Sequence, residues 1–195
     1  HLHQAEIAAE FGLSRIPVRD ALQALAAEGL VDLSPAGAMV SPMSVAVLDE
    51  LYELRGLLEP RATALGVAAL GRSDLRLMRD CDAEMRTTAD PVTWLDANAR
   101  FHRILYGKSG RPRLIQLVEQ LRRQADRYLH LHLAVIGGAA HLHEEHGLIL
   151  AAAEARDARG VEDLTRRHLQ STHDFILEYL ADADRERTTM SEGAA

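Results

Sequence analysis

Histidine and asparagine side chains in the second half of the chain have the types and spacing that metal binding requires. Eight of the ten histidines lie beyond residue 100. Asn98 and His102 are four residues apart in the helical segment NARFH, so both side chains project from one helix face and can bind one ion. His146 and His168 lie on separate later helices, which could each contribute from another direction. An isolated histidine on a helix is more often a surface or core residue than a metal ligand. The structure must therefore show whether these four side chains converge.

The remaining histidines of this half carry no ligand pattern. His130 and His132 are two residues apart and point to different sides of a helix. Three others match no ligand position: His141, His143 and His173. The string HEEH at residues 143–146 has its histidines three apart, whereas zinc proteases need them four apart, so the register disfavours a metal-dependent hydrolase. A helical interaction module with incidental histidines remains the other alternative.

Helices must position these side chains. Alanine and leucine dominate, and aromatic residues make up only 4% of the chain, a composition that favours helix over sheet. From Val45 to about Ala181 the pattern is one of amphipathic helices. Breaks lie near residues 71–73, 89–91, 107–112, 137–138 and 160. The sequence therefore predicts a mainly α protein, with an all-α antiparallel bundle of about six helices.

The first 43 residues have a different pattern. A short helix over residues 4–11 ends at Gly12, and a second helix over about 15–28 begins after Ser14. Its predicted buried stripe includes Val18, Leu22 and Leu25. The stretch LVDLSPAGAMVSP then indicates a β-hairpin around residues 35–37. Helix, turn, helix and hairpin is the order of a winged helix-turn-helix domain.

Charge limits how such a domain could bind nucleic acid. The net charge of the chain is −7, and the first 42 residues carry −3 with histidines neutral, their only basic residues apart from histidine being Arg15 and Arg19. DNA binding therefore requires these arginines to concentrate positive charge on one edge, or a basic segment upstream. The chain begins at His1 without a leader, so we expect its true beginning to lie further upstream. A lone cysteine, Cys81, and no long apolar run favour the cytoplasm.

The segment EIAAEFGLSRIPVRDALQALAAEGLVDL, residues 6–33, closely resembles the winged helix-turn-helix of GntR-type transcription regulators. The resemblance implies DNA contacts by Ser14, Arg15 and Arg19, and by Gly37 at the tip of the wing. It also implies that the first helix of the domain is missing, so the domain is N-terminally incomplete. Where family members often carry a basic residue, this sequence has Ala5.

Three later passages resemble the FCD domain, the effector-binding domain of the FadR subfamily: LYELRGLLEPRA, NARFHRILYGKSGRPRL and EEHGLILAAAEARDARGVEDLTRRHL. The metal ligands of that domain match Asn98, His102, His146 and His168, with Asn98 in place of the usual Asp. Three imidazoles suit zinc, or nickel and similar ions, and do not suit calcium or magnesium. Since no ligand carboxylate neutralises the ion, we expect it to favour an anionic effector.

The sequence thus predicts a DNA-binding transcription regulator, a repressor in the usual case, and no enzyme. The domains are a winged helix-turn-helix (1–43), an all-α effector-binding and metal-binding domain (44–182) and a flexible tail (183–195). The predicted partners are operator DNA, a small carboxylate effector and a second copy of the chain, because two-fold operators are read by dimers. Arg55 and Arg127 are candidate effector ligands, although Arg55 could instead pair with Glu59 four residues later.

Overall fold

The structure is a computed structural model that describes residues 1–35, 37–136 and 140–192. The chain forms two compact units, His1–Ser44 and a second unit that begins at Val45. The first unit contains α1 (Gln4–Glu10), α2 (Arg15–Ala27), β1 (Val31–Ser34) and β2 (Gly37–Val40). The second contains α3 (Val45–Val67), α4 (Arg72–Thr87), α5 (Pro91–Gly107), α6 (Pro112–Ile136), α7 (Ala140–Glu154) and α8 (Ala158–Glu192). Both the winged helix-turn-helix order and the six-helix unit predicted from the sequence are confirmed.

The first unit is built around a small apolar core. β1 and β2 pair antiparallel with Val31 opposite Val40 and Ser34 opposite Gly37. The buried core side chains are Ala8, Val18, Leu22, Val31 and Ala38. The predicted stripe of α2 is therefore right for its first two members and wrong for Leu25, which is 38% exposed because the core ends one turn earlier.

The second unit is a bundle in which α3 lies centrally. This helix packs against α5, α6 and α8, while α4 packs against α5 and α7, and α7 packs against α8. Each helix buries one face at helical spacing, as in α5, where Trp94, Phe101 and Leu105 are all buried. The ligand-bearing helices α5, α7 and α8 thereby surround one interior region.

Helices α3 and α5 approach each other closely at one glycine. A Cβ atom added at Gly66 would lie 1.8 Å from the backbone oxygen of Leu105. A side chain at residue 66 would therefore force the two helices apart, so glycine is required there. This contact helps to fix α5, which carries Asn98 and His102.

Two further observations complete the fold. Helix α8 continues to Glu192, so its backbone includes most of the segment 183–195 that the sequence predicts to be a flexible tail; residues 193–195 lie outside the described residues. Among the described residues, none of the helices combines the length and the apolar character that a membrane-spanning helix needs.

Candidate metal centre

Local capping residues set the start of helix α5, which carries two of the predicted ligands. The Asp90 carboxylate caps the helix by accepting a hydrogen bond of 2.9 Å from the backbone N–H of Thr93, and Pro91 occupies the first turn. Two turns later, Asn98 and His102 are both on the buried face, at 4% and 1% exposure. The prediction that these side chains share one face of one helix is confirmed.

The four predicted ligand side chains meet in the interior of the second unit. Nε2 of His102 and Nε2 of His146 are 3.1 Å apart, and Nε2 of His146 is 3.0 Å from Oδ1 of Asn98. One nitrogen from each of His102, His146 and His168 lies within 4.8 Å of the others. Residues on α5, α7 and α8 therefore converge on one point, although up to 70 residues of sequence separate them.

These distances fit a shared ion. Two ligand atoms bound at about 2.1 Å from one ion lie roughly 3.0–3.4 Å from each other. The His102–His146 and His146–Asn98 separations of 3.1 and 3.0 Å fall in or at the edge of that range. The pKa values of His102 and His146 lie well below the usual value for histidine, and burial is the largest cause. Both rings are therefore neutral, and each has a lone pair that can bind a metal ion.

His168 has a carboxylate as its orienting partner. Its Nδ1 lies 2.7 Å from Oε2 of Glu145, on α7. Because an ionised carboxylate only accepts hydrogen bonds, Nδ1 of His168 is the donor, and Nε2 is the ring nitrogen that remains available to a metal ion. Nδ1 of His102 has no hydrogen-bond partner among the described residues.

A buried charged network lies beside the histidines. Nε of Arg55 donates to Oε2 of Glu59 over 2.7 Å, and Nη1 of Arg122 donates to Oε1 of the same carboxylate. Burial alone would raise the pKa of Glu59, but Arg55 and then Arg122 outweigh it and lower the pKa to about 2. The predicted Arg55–Glu59 pair is present, inside the core and with a second arginine.

Between the network and the histidines lies a very small cavity of about 10 Å³. Its lining includes Arg55, Arg122, Asp126, Asn98 and His168. Burial raises the pKa of the Asp126 carboxyl, with the opposing effect of Arg122 next in size. A volume of this size holds about one water molecule, so an organic acid would need the cavity to widen.

Arg127, the other candidate effector residue, has different surroundings. Its guanidinium lies over the Tyr128 ring, 5.3 Å from the ring centroid, and it is not among the residues that line this cavity. Its role in effector binding stays a prediction.

The predicted DNA-contacting residues lie in the first unit. Ser14 occupies the N-cap position of α2 but makes no side-chain capping hydrogen bond, and Arg15 begins the helix. Arg15 and Arg19 are both exposed, and Arg19 lies 3.4 Å from the exposed Asp20. Gly37 begins β2 with a φ of +129°, a conformation that favours glycine.

Sequence reasoning missed three residues of this interior. Arg122 interrupts the buried face of α6 between Val118 and Ala125, and an arginine in an apolar stripe is a readable signal for a buried ion pair. Glu145 directly precedes His146, and no spacing rule links it to His168. Trp94 lies on α5 four residues before Asn98, the same interval that separates Asn98 from His102. Its ring is edge-on to the His146 ring, with the two centroids 6.1 Å apart.

A winged helix-turn-helix joined to a helical unit is an arrangement found in transcription regulators. Comparison with family models supports this class directly. Residues 50–171 match the FCD domain, and residues 1–40 match the gntR family of bacterial regulatory proteins. The chain belongs to the GntR family and carries an FCD domain.

Individual relatives agree with the family. The chain is 30% identical over 161 residues to the transcriptional regulator McbR of Escherichia coli, covering 79% of this chain and 72% of McbR. It is 26% identical over 195 residues to the transcriptional repressor GlaR of E. coli, covering 92% and 87%. The solved structure of E. coli McbR/YncC has a TM-score of 0.83 at 27% identity, covering 92% of this chain and 87% of that one. These relatives are transcription regulators, so the chain is a GntR-family regulator and not an enzyme.

Proposed function

We propose that this regulator changes its affinity for operator DNA when a small organic acid binds at a metal ion held by Asn98, His102, His146 and His168. The observation that carries the proposal is the convergence of three buried imidazoles and one amide oxygen at ligand-to-ligand distances. These donors can hold a metal ion and, through it, a small ligand. Repression relieved by the effector is the proposed direction, in line with the repressor GlaR among the relatives.

Zinc, or nickel as the nearest alternative, suits the proposed donor set. Three neutral nitrogens favour borderline ions of the first transition row over calcium or magnesium, which take oxygen ligands. When bound, the ion supplies open positions that attract an anionic ligand. The protein contributes no carboxylate among these four ligands, so a carboxylate effector would meet the full charge of the ion.

The second support for an acidic effector is the charged network. Arg55 and Arg122 both border the small cavity together with Asn98 and His168. An incoming carboxylate would share these guanidinium groups with Glu59. Because the cavity holds about 10 Å³, binding must separate helices that line it. Movement of helices in response to the effector is the proposed origin of regulation.

DNA binding is assigned to the exposed first turns of α2. Arg15 and Arg19 project one turn apart from that helix, and Ser14 precedes it. Arginines at the start of a recognition helix reach guanine edges or phosphates in the major groove. Gly37 is proposed to bring the tip of the wing close to the minor groove.

A homodimer completes the proposal. Exposed leucines lie on α3 and α6, which pack against each other: Leu57 is 68% exposed, Leu117 is 50% exposed and Leu54 is 39% exposed. Two-fold operators require paired DNA-binding units, and contacts between two copies through these leucines would bury their side chains. We propose that the exposed leucines of α3 and α6 join the two copies.

Metal analysis tests the proposed function. Purified protein should contain about one transition metal ion per chain by mass spectrometry, and H102A, H146A and H168A should each reduce that content. H130A, at an exposed histidine, is the matched control and should retain the metal. DNA affinity is then measured with the loaded and chelated protein against a panel of hydroxy and dicarboxylic acids. Metal-free protein with normal DNA regulation would rule out the proposed mechanism.

A further inference from the structure

We infer that Glu145 is a positioning residue for the metal site: it orients His168 and places a negative charge beside an otherwise neutral set of ligands. This inference rests on the metal site proposed above. Glu145 is not one of the four proposed ligands. The inference is therefore tested separately, by asking whether metal affinity depends on a side chain that does not contact the ion.

The first argument is the geometry at His168. Oε2 of Glu145 is 2.7 Å from Nδ1 of His168, whose side chain is only 6% exposed. The hydrogen bond fixes the proton on Nδ1 and resists rotation of the ring, so Nε2 presents its lone pair in a constant direction. The contact also ties α7 to α8 across 23 residues of sequence.

The second argument is the contrast within the cluster. Among the described residues, Glu145 is the one carboxylate that is hydrogen-bonded to any of the three histidines. Nδ1 of His102 has no partner in the same part of the chain. Orientation by a carboxylate therefore acts on His168, the one ligand that α8 contributes.

The third argument is charge. The donors of Asn98 and the three histidines are neutral, and Arg122 and Arg55 are close enough to disfavour protonation of His102. The positive charges of these arginines also repel a divalent cation, and Glu59 offsets one of the two charges. Glu145 adds a negative charge at Nδ1 of His168, so that one imidazole ring separates this charge from the ion. The charge makes Nε2 of His168 a stronger metal ligand.

A simple ion pair between His168 and Glu145 is the competing explanation. Such a pair stabilises the folded protein whether or not metal is present. A positioning role instead changes metal affinity. The two explanations therefore predict changes in different measurements, and Glu144, the exposed neighbour on the same turn of α7, provides a matched control.

The experiment compares wild type, E145Q, E145A and E144Q, each with both units of the chain present. Cobalt(II) and zinc are titrated into chelated protein, with the visible absorption of cobalt and the fluorescence of Trp94, the only tryptophan, as readouts. Thermal unfolding of each metal-free protein is recorded in parallel. We expect E145A to weaken metal binding by about 10- to 100-fold and to shift the cobalt spectrum, with a smaller loss for E145Q, which keeps an acceptor oxygen but loses the charge. E144Q should match wild type.

The outcomes separate this inference from the proposed function. Wild-type protein that binds neither ion overturns the metal site and the inference with it. Wild-type protein that binds metal, together with E145Q and E145A that bind it equally well, overturns the inference alone. A lower melting temperature of metal-free E145A with unchanged metal affinity identifies a structural ion pair and equally contradicts a positioning role. If E145A does not fold, E145Q decides.

Discussion

Arg55 and Glu59 form an ion pair of 2.7 Å inside the helical unit, with side chains that are 6% and 0% exposed. Their spacing of four residues on α3 is common on helix surfaces, where such a pair contributes a few tenths of a kcal/mol. Here Arg122 adds a second guanidinium to the same carboxylate. Glu59 is therefore the shared hydrogen-bonded anion of two buried arginines, and its loss is costly.

Replacing Glu59 with glutamine should destabilise the protein by about 3–5 kcal/mol, because it leaves two buried arginines without their shared anion. Urea denaturation at neutral pH measures the change. E53Q, at an exposed glutamate of the same helix, is the matched control and should lie within about 0.5 kcal/mol of wild type. Equal stabilities for E59Q and E53Q would contradict the central role of Glu59.

The same residue predicts a pH dependence. The pKa of Glu59 is lowered from 4.5 to about 2 in the folded protein, so between these values the unfolded chain binds more protons than the folded one. Its stabilisation is fully present above about pH 4.5 and is lost as the pH falls towards 2. The difference in unfolding free energy between wild type and E59Q should therefore be constant from pH 7 to 5 and shrink below pH 4.5. A difference that stays unchanged at pH 3 would contradict this assignment.

Two glycines of α3 should respond oppositely to alanine. G66A places a methyl group against the backbone oxygen of Leu105, and we expect a loss of at least about 1–3 kcal/mol because α3 and α5 must separate. At Gly56 an added Cβ would meet no atom within 4 Å apart from the nearby backbone of its own helix, so G56A should stabilise the helix by about 0.5–1 kcal/mol. Thermal unfolding of both variants tests this contrast. Similar effects of the two substitutions would exclude the close helix contact.

The sequence was informative where function depends on local spacing. The four-residue interval between Asn98 and His102 determines a shared helix face whatever the rest of the fold does, and Gly12 and Gly29 mark helix ends directly. The hairpin of the wing was readable for the same reason, from Pro35 and Gly37 between two strand-forming runs.

The parts that the sequence did not predict depend on contacts between distant residues. Glu59 and Arg122 are 63 positions apart, and no periodicity on either helix indicates that they share a hydrogen bond. His168 and Glu145 lie on different helices in the same way. Leu25 was predicted to be buried because its spacing fits the stripe, but spacing cannot say where the core that covers a stripe comes to an end.

Asn98 offers a direct test of how the charge of the ligand set affects the ion. N98D should bind zinc about tenfold or more tightly than wild type, equivalent to about 1.4 kcal/mol, because a carboxylate replaces a neutral carbonyl oxygen. N98A, which removes the donor, should bind more weakly. Competition with a chromophoric chelator measures all three affinities. Equal affinities would show that Asn98 is not a ligand and would leave the three histidines as the complete protein contribution.

The two arginines at the start of α2 test the DNA-binding assignment. R15A and R19A should each weaken binding to a selected operator by about 1–3 kcal/mol, because each removes a contact to a base edge or a phosphate. R72A removes an exposed arginine from the helical unit and keeps the total charge equal to that of the other two variants, so it controls for net charge.

Fluorescence anisotropy at several salt concentrations distinguishes phosphate contacts from base contacts. Loss of a phosphate contact lowers the slope of the salt dependence by about one unit. Loss of a base contact leaves that slope unchanged and relaxes the sequence preference. Because the first 42 residues carry a net charge of −3, non-specific binding should be weak in all four proteins, and an equal loss for R72A would point to overall charge instead of the recognition helix.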